Sequence, residues 1–502
     1  MQDKKKVQNN LIMGVAGQTV AVLLGIILPR LVLGSYGSEV NGLLSSVTNI
    51  YAYIAIVEAG VAAASCQALY KPLADRDYSR ANTVISACHR QYRRIGGIYI
   101  VLVVLFSCIY PLLIQMEVPF VSVVLIILFN GIGNAVNFFF HGKYLILLRA
   151  DGKQYVRAGL DTGSLVVRQV AKIVLIQLGF DVVLVQVVSM LVNVGQMLWL
   201  TGYVKKHYTW IDLNEKPDFS SLEQSRHVIA HQVNYLITVN LDTVLLTFFA
   251  GLKTVSVYSL YMLLYGMITR VLNAVRDALE FKIAYEYHRS KELFLKLFEA
   301  YEVSYITFAT ALISIVSYFI LPFLTQYTSG ITDANYLDPS LPPLFALTFL
   351  FAAGRYPSDA MIHIAGHFRQ TKKSAVVETL LNLLVSLVLV QFWGINGALI
   401  GTIASSLFRT VYLVQYVNRE LIHRSPMKTY LCWGTNLLLL VGVGEAGRLI
   451  TLPLNSYGRI FLFCVPYSIA TFILFFGVMA LVMPGTMKNV AGILSSIRRR
   501  EK

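Results

Sequence analysis

Two cations stand one turn apart inside an apolar stretch, Arg168 and Lys172 in "GSLVVRQVAKIVLIQ", and Arg355 lies four residues before Asp359 in "FAAGRYPSDAMIHIA". In hydrocarbon a central charge costs about 2.5 to 3.5 kcal/mol even on insertion scales, so such side chains face a wet cavity or a partner. Guanidinium and ammonium groups in a wet cleft suit one task above others, holding phosphate or carboxylate oxygens by charge-assisted hydrogen bonds. Seven Lys and Arg residues are placed this way: Arg30, Arg168, Lys172, Arg270, Arg276, Arg355 and Arg409.

Their angular positions form stripes. At 100° per residue, Asp161, Arg168 and Lys172 fall within about 40° of one another on a helix. On the preceding helix Asn130, Asn134, Asn137 and His141 fall within about 60°. His231, Asn234, Thr238 and Asp242 recur at helical steps, and Arg270, Asn273, Asp277 and Glu280 share a side that Arg276 leaves. Arg355 and Asp359 are close enough to pair, and Pro357 between them marks a helix break of the kind found at transporter sites. Glu58, in "IVEAGVAAA", lies deep among small residues.

Blander readings compete with each. Arg30, Arg276 and Arg409 can snorkel to headgroups. Asp161 and Asp277 can simply neutralise neighbouring cations, and the asparagines can glue helices together. His141, His231, His363 and His367 fall near span ends, where an interfacial role suffices.

The elements that must carry these residues follow from composition. The chain has 502 residues, of which 56% are hydrophobic and 14% charged. That is more apolar surface than a soluble core needs, and it implies an all-α polytopic membrane protein. Apolar runs of about 17 to 25 residues mark about 14 spans, near 10–33, 40–67, 95–115, 120–148, 158–179, 182–204, 230–250, 255–280, 302–325, 342–366, 375–393, 396–418, 429–447 and 459–483. The first is read as a retained span, since its basic start is followed by a long apolar run without a small-residue cleavage site.

Loop charge supports an even number of crossings. The N-terminus, alternate connections (68–94, 143–157, 205–229, 281–299, 367–374 and 419–428) and the C-terminal tail hold 32 of the 42 Lys and Arg, whereas the opposite connections hold Lys253, Arg448 and Arg459. Both termini are therefore expected on the cytoplasmic side of the membrane. The net charge of +15 is topogenic on this reading, so nucleic acid is not expected as a partner, and the "RRRE" tail faces anionic headgroups. The outer connections are too short for a catalytic domain, and no enzyme activity is expected. Five scattered cysteines carry no ligand-like spacing, so neither a metal nor another cofactor is expected.

A weak internal echo links "LPRLVLGSYGSEVNGLLSSVTNIYAYI" with "LDTVLLTFFAGLKTVSVYSLYMLLYGM". It suggests two parallel six-helix lobes, 1–204 and 230–418, joined by a linker at 205–229, with two further helices and a basic tail in 419–502.

The stretch "AGHFRQTKKSAVVETLLNLLVSLVLVQFWGINGALIGTIASS" (365–406) resembles bacterial polysaccharide flippases of the Wzx type, with their G-H-F-x-x-T, N-L-x-x-S and G-I-x-G-x-x-I-G-T pattern. "LLRADGKQYV" (147–156) and "NLDTVLLTFFAGLKTVSVYSLY" (240–261) are similar to the same family. These flippases belong to the multidrug, oligosaccharidyl-lipid and polysaccharide (MOP) exporter superfamily. The resemblance covers most of helices 1 to 12. It implies two pseudo-symmetric lobes around a central cavity, alternating access, and movement of undecaprenyl-pyrophosphate-linked oligosaccharide from the inner to the outer leaflet. Relatives in the lipid II branch also carry two C-terminal helices that offer the lipid tail a groove.

On this basis Arg30, Arg168, Lys172, Arg270 and Arg355 are nominated for the diphosphate, and Asn134, Asn137, Asn234 and Tyr261 for sugar hydroxyls. Glu58, Asp161, Asp242 and Asp359 are candidates for ion coupling or charge pairing. Expected partners are the lipid-linked oligosaccharide, membrane lipids and other polysaccharide-assembly membrane proteins. Four alternatives stay open: a MATE-like drug and cation antiporter of the same fold, a membrane polymerase or ligase of the sugar pathway, a sugar transferase, and a scaffold.

Overall fold

A computed structural model describes residues 2–136, 138–139, 142–219, 240–449 and 452–500, with side chains at all of these except 2–16, 18, 56–61, 63–64, 278, 281 and 493–500. The described chain is helical without strands. The helices are α1 (Gln2–Ile54), α2 (Ile56–Ala74), α3 (Tyr78–Leu113), α4 (Phe120–Val136), α5 (Gly142–Ala150), α6 (Gln154–Gln177) and α7 (Val182–His207). They continue with α8 (Asn240–Phe249), then α9 (Leu252–Arg289), α10 (Lys291–Tyr327), α11 (Leu341–Gly354), α12 (Tyr356–Ala365), α13 (Phe368–Tyr416), α14 (Met427–Leu449), α15 (Tyr457–Val482) and α16 (Pro484–Arg500). Seven of the described helices are long and apolar enough to cross a membrane.

Two long helices change direction at a glycine. In α1 the break is Gly37 (φ 82°), and in α13 it is Gly394 (φ 52°), both in the left-handed region that costs other residues energy. Beyond Gly394 the chain returns along itself, and Ser386 donates to the Ala398 carbonyl at 3.2 Å. Added Cβ atoms at Gly397 and Gly401 would strike the Leu389 carbonyl and Ser386. Small residues thus let the two arms approach within backbone contact.

The expected span 342–366 is two helices, with Arg355 at the junction. Pro357 lacks the N–H that would bond to Ala353, and its ring crowds that carbonyl, so the ladder breaks just before it. The break therefore falls at Arg355 itself, and Asp359 sits in the first turn of α12. The C-terminal tail, expected only as a basic segment, contains a further helix, α16.

The chain divides into two compact units, Met1–Ser256 and Val257–Lys502. In the first, Tyr51 donates to the Ile127 carbonyl at 2.6 Å, and Tyr51, Tyr99, Phe106, Tyr110 and Phe138 interlock around it. At one end of this unit Tyr110 donates to Ser46 at 2.9 Å, Ser46 lies 2.8 Å from Thr247, and Asn41 donates to Ser256 at 2.8 Å. Lys253 meets Glu117 at 2.8 Å. A Cβ at Gly42 would lie 1.8 Å from the Leu252 carbonyl oxygen, so only glycine permits this approach.

The opposite end carries the basic connections. There the segment after α7 folds against α3: Asn82 donates to the Trp210 carbonyl at 2.9 Å, and Trp210 stacks on Tyr78.

In the second unit α10 is the hub, packing on α11, α14, α15 and α16. Tyr261 and Tyr265 stack on Phe345. At the end of α10 where it begins, Arg424 bonds the buried Glu302 carboxylate, Lys428 meets Glu299 at 3.0 Å, and Thr486 of α16 donates to Glu299.

Candidate functional site

Each unit gathers charged side chains from its helices, and the two gatherings differ in kind. In the first unit α6 has a high polar content on one face. Its Asp161 accepts from Gln196 of α7 at 2.7 Å and pairs with Arg157 at 3.3 Å. Two turns on, the Arg168 guanidinium donates to the Asn193 side-chain oxygen at 2.6 Å. Asn193 also lies against α4, where a Cβ on Gly133 would sit 3.0 Å from its amide nitrogen. Asn134, on the next residue of α4, donates to Asn130 at 3.5 Å. Polar groups of α4, α6 and α7 thus meet.

Lys172 is half-buried one turn beyond Arg168. The charge acting on it is the cation Arg168, and among the described residues no carboxylate pairs with it. Arg168 also feels the charge of Asp161 on the same face, but the only charge acting on Lys172 is a cation, so the pair forms a site that an anion can complete.

Asn193 and Gln196 escaped the sequence reading. Their signal is visible as i, i+3 amides within the apolar "SMLVNVGQMLWL" of α7, matching the spacing of one helix face.

In the second unit the charges are compensated. Arg355 bonds the Glu378 carboxylate and lies 3.5 Å from Asp359. Arg409 approaches the other oxygen of Glu378 at 3.7 Å, and donates to the Thr371 carbonyl at 3.1 Å and to the Ser374 hydroxyl. Two guanidiniums and two carboxylates balance, with Glu378 only 5% exposed. The Arg355–Asp359 pair lies where helical spacing puts it. Glu378 was missed because a single acid in "SAVVETLLNLL" belongs to no stripe.

The other nominated residues lie apart. Arg30 is half-buried on α1 and Arg270 is exposed on α9. Tyr261, nominated for sugar hydroxyls, is fully buried and donates to the Tyr336 carbonyl at 2.9 Å, which places it in the packing core. A tyrosine on an apolar helix carries no sequence mark of which way it faces. Asp242 is buried on α8. Asn137, Asn234, His141 and His231 lie outside the described residues, as does the side chain of Glu58. Arg276, expected to leave the stripe, bonds Asp277 and lies over the Tyr356 ring.

The fold has solved counterparts. The chain resembles the lipid II flippase MurJ in an inward closed conformation, with a TM-score of 0.70 and 11% identity over 93% of this chain and 99% of that one. It also resembles a MATE family transporter of the MOP superfamily in its inward-facing conformation, with a TM-score of 0.63 and 14% identity over 85% and 96% of the two chains. The outward-facing conformation of such a transporter gives a TM-score of 0.54 and 15% identity over 88% and 97%. No family model and no curated protein sequence matches the chain. The chain therefore shares its all-helical fold with the lipid II flippase and the MATE transporter structures.

Proposed function

We propose that this protein is an alternating-access flippase that moves an undecaprenyl-pyrophosphate-linked oligosaccharide across a bacterial inner membrane, with its basic connections in the cytoplasm. One observation carries the reading: Arg168 and Lys172 stand together on α6, with Asn193 as a neutral partner of Arg168 and, among the described residues, no carboxylate paired with Lys172.

A diphosphate cannot enter hydrocarbon unaided, because burying an unpaired anion is far costlier than burying a paired one. Two cations and the amides of α4 and α7 offer it hydrogen bonds while its lipid tail stays in the bilayer. Arg168 supplies a planar two-donor fork, and Lys172 supplies a point charge one turn away. Arg355, committed to Glu378 and Asp359, shapes the α11–α12 break instead.

A drug and cation antiporter of the same fold would need carboxylates where its cargo's charge sits. The surplus of positive charge on α6 favours an anionic cargo. Reconstitution with fluorescent lipid-linked oligosaccharide tests the reading by leaflet transfer. Transfer by the parent, with large losses in Arg168→Ala and Lys172→Ala, is the expected result. Folded parent protein that moves no such lipid would end the proposal, and unchanged transfer in both variants would end the site assignment.

A further inference from the structure

A second cationic group lies on other helices of the first unit. Lys143, on α5, is 7% exposed. Its ammonium lies 2.9 Å from Nδ1 of His89 on α3 and 4.9 Å from the centre of the Tyr144 ring. Neither partner carries negative charge. Since lysine can only donate, His89 accepts at Nδ1, which leaves its Nε2–H as another donor. Cys88 and Arg93 of α3 and Lys205 of α7 stand close enough to act on the Lys143 charge, the Cys88 sulfur favouring it and the two cations opposing it, and Arg90 and Arg93 act on His89. Among the described residues no carboxylate joins them.

A buried ammonium beside two other cations, with no carboxylate to pair with it, is an unfavourable arrangement by itself. Carboxylates compensate Arg355 and Arg409 at Glu378 and Arg424 at Glu302 in the second unit. Here, among the described residues, the fold supplies no carboxylate to Lys143. We propose that Lys143, His89, Arg93 and Lys205 form an anion site for a phosphate group, separate from the α6 cations.

Depth supports that chemistry. Along α3 the exposed residues turn aliphatic just beyond Arg94, with Ile98, Val101, Leu102 and Leu105 open to the surroundings. That surface suits acyl chains, so His89 and Arg93, a few turns earlier, fall at the level of phospholipid phosphates. A phosphate there accepts charge-assisted hydrogen bonds from three helices at once and neutralises the buried lysine.

The phosphate could belong to a lipid headgroup or be free in solution, and one experiment separates the two. The full-length protein is placed in phosphatidylcholine nanodiscs, in nanodiscs containing phosphatidylglycerol, and in phosphatidylcholine nanodiscs with added inorganic pyrophosphate, and thermal unfolding is followed. The wild-type midpoint should rise by about 3 °C with at least one addition. A rise with phosphatidylglycerol alone assigns a lipid headgroup, and one with pyrophosphate alone assigns a soluble phosphate. Lys143→Gln and His89→Gln should abolish the rise, and Lys143→Arg should keep it. Should Lys143→Gln fail to fold, Arg93→Gln and Lys205→Gln, at exposed positions, should each remove about half of the rise. No rise in the wild type, or an equal rise in every variant, overturns the proposal.

Discussion

Arg355, at the break that separates α11 from α12, is bonded to Glu378 of α13, the guanidinium donating into a carboxylate that Arg409 approaches from its other side. One acid thereby serves two cations contributed by separate stretches of chain. The cluster joins the helix break to both arms of α13. Its value to the fold depends on completeness, because a buried charge that loses its partner is far more costly than a pair removed together.

Glu378→Gln should therefore destabilise the protein by about 3 to 5 kcal/mol. The double variant Glu378→Gln with Arg355→Met should recover part of that loss. Thermal unfolding of the purified protein in a fixed detergent reads both, and strictly additive losses would show that the two side chains do not act as a unit.

Asn193→Leu removes the acceptor that orients Arg168. A hydrogen bond to a charged group contributes about 1.5 to 3 kcal/mol. The apparent KM for lipid-linked oligosaccharide should rise about tenfold, with a smaller change in maximal rate, if the interaction serves binding in ground and transition states alike. Leaflet-transfer kinetics at varied substrate check this, and an unchanged KM would disconnect Asn193 from the anion contact.

Gly42→Ala places a methyl group against the Leu252 carbonyl. Backbone cannot retreat as a side-chain tip can, so α1 must separate from the start of α9, at a cost of about 1 to 3 kcal/mol. The hydroxyl contact between Ser46 and Thr247, one turn away, should loosen with it. Cysteine pairs at Ser46 and Thr247 should cross-link more slowly in the Gly42→Ala background, and an equal rate would argue against that separation.

Arg424→Ala leaves Glu302 without its guanidinium in a buried position. A loss of about 3 to 5 kcal/mol is expected, and Glu302→Gln in the same chain should restore part of it. Limited proteolysis near Thr486 should quicken in Arg424→Ala alone, because the same cluster holds the start of α16.

Much of the helical framework was legible because hydrocarbon imposes length and composition on every crossing segment. The apolar runs fall on helices for most of their length, although 40–67 is interrupted at Ala55 and 342–366 at Arg355, and the Arg355–Asp359 contact follows from spacing alone. Interhelical partners were harder. Glu378, Asn193 and Gln196 are single polar residues whose meaning depends on which neighbour they face, and no local periodicity records that. Tyr261 shows the converse error: proximity to a polar stripe in sequence says little when the side chain stacks on Phe345. Helix ends shifted where local chemistry intervened, as at Arg355 before Pro357.

The Glu302–Arg424 contact also bears on how such a chain could be shortened. Removing everything after α13 would strip a carboxylate on α10 of its counter-ion, so a descendant ending at α13 would have to replace Glu302 in the same evolutionary step or recruit a cation from elsewhere. The terminal helices are in this sense not a detachable appendage, since their absence would be written into the preceding sequence as a lost glutamate.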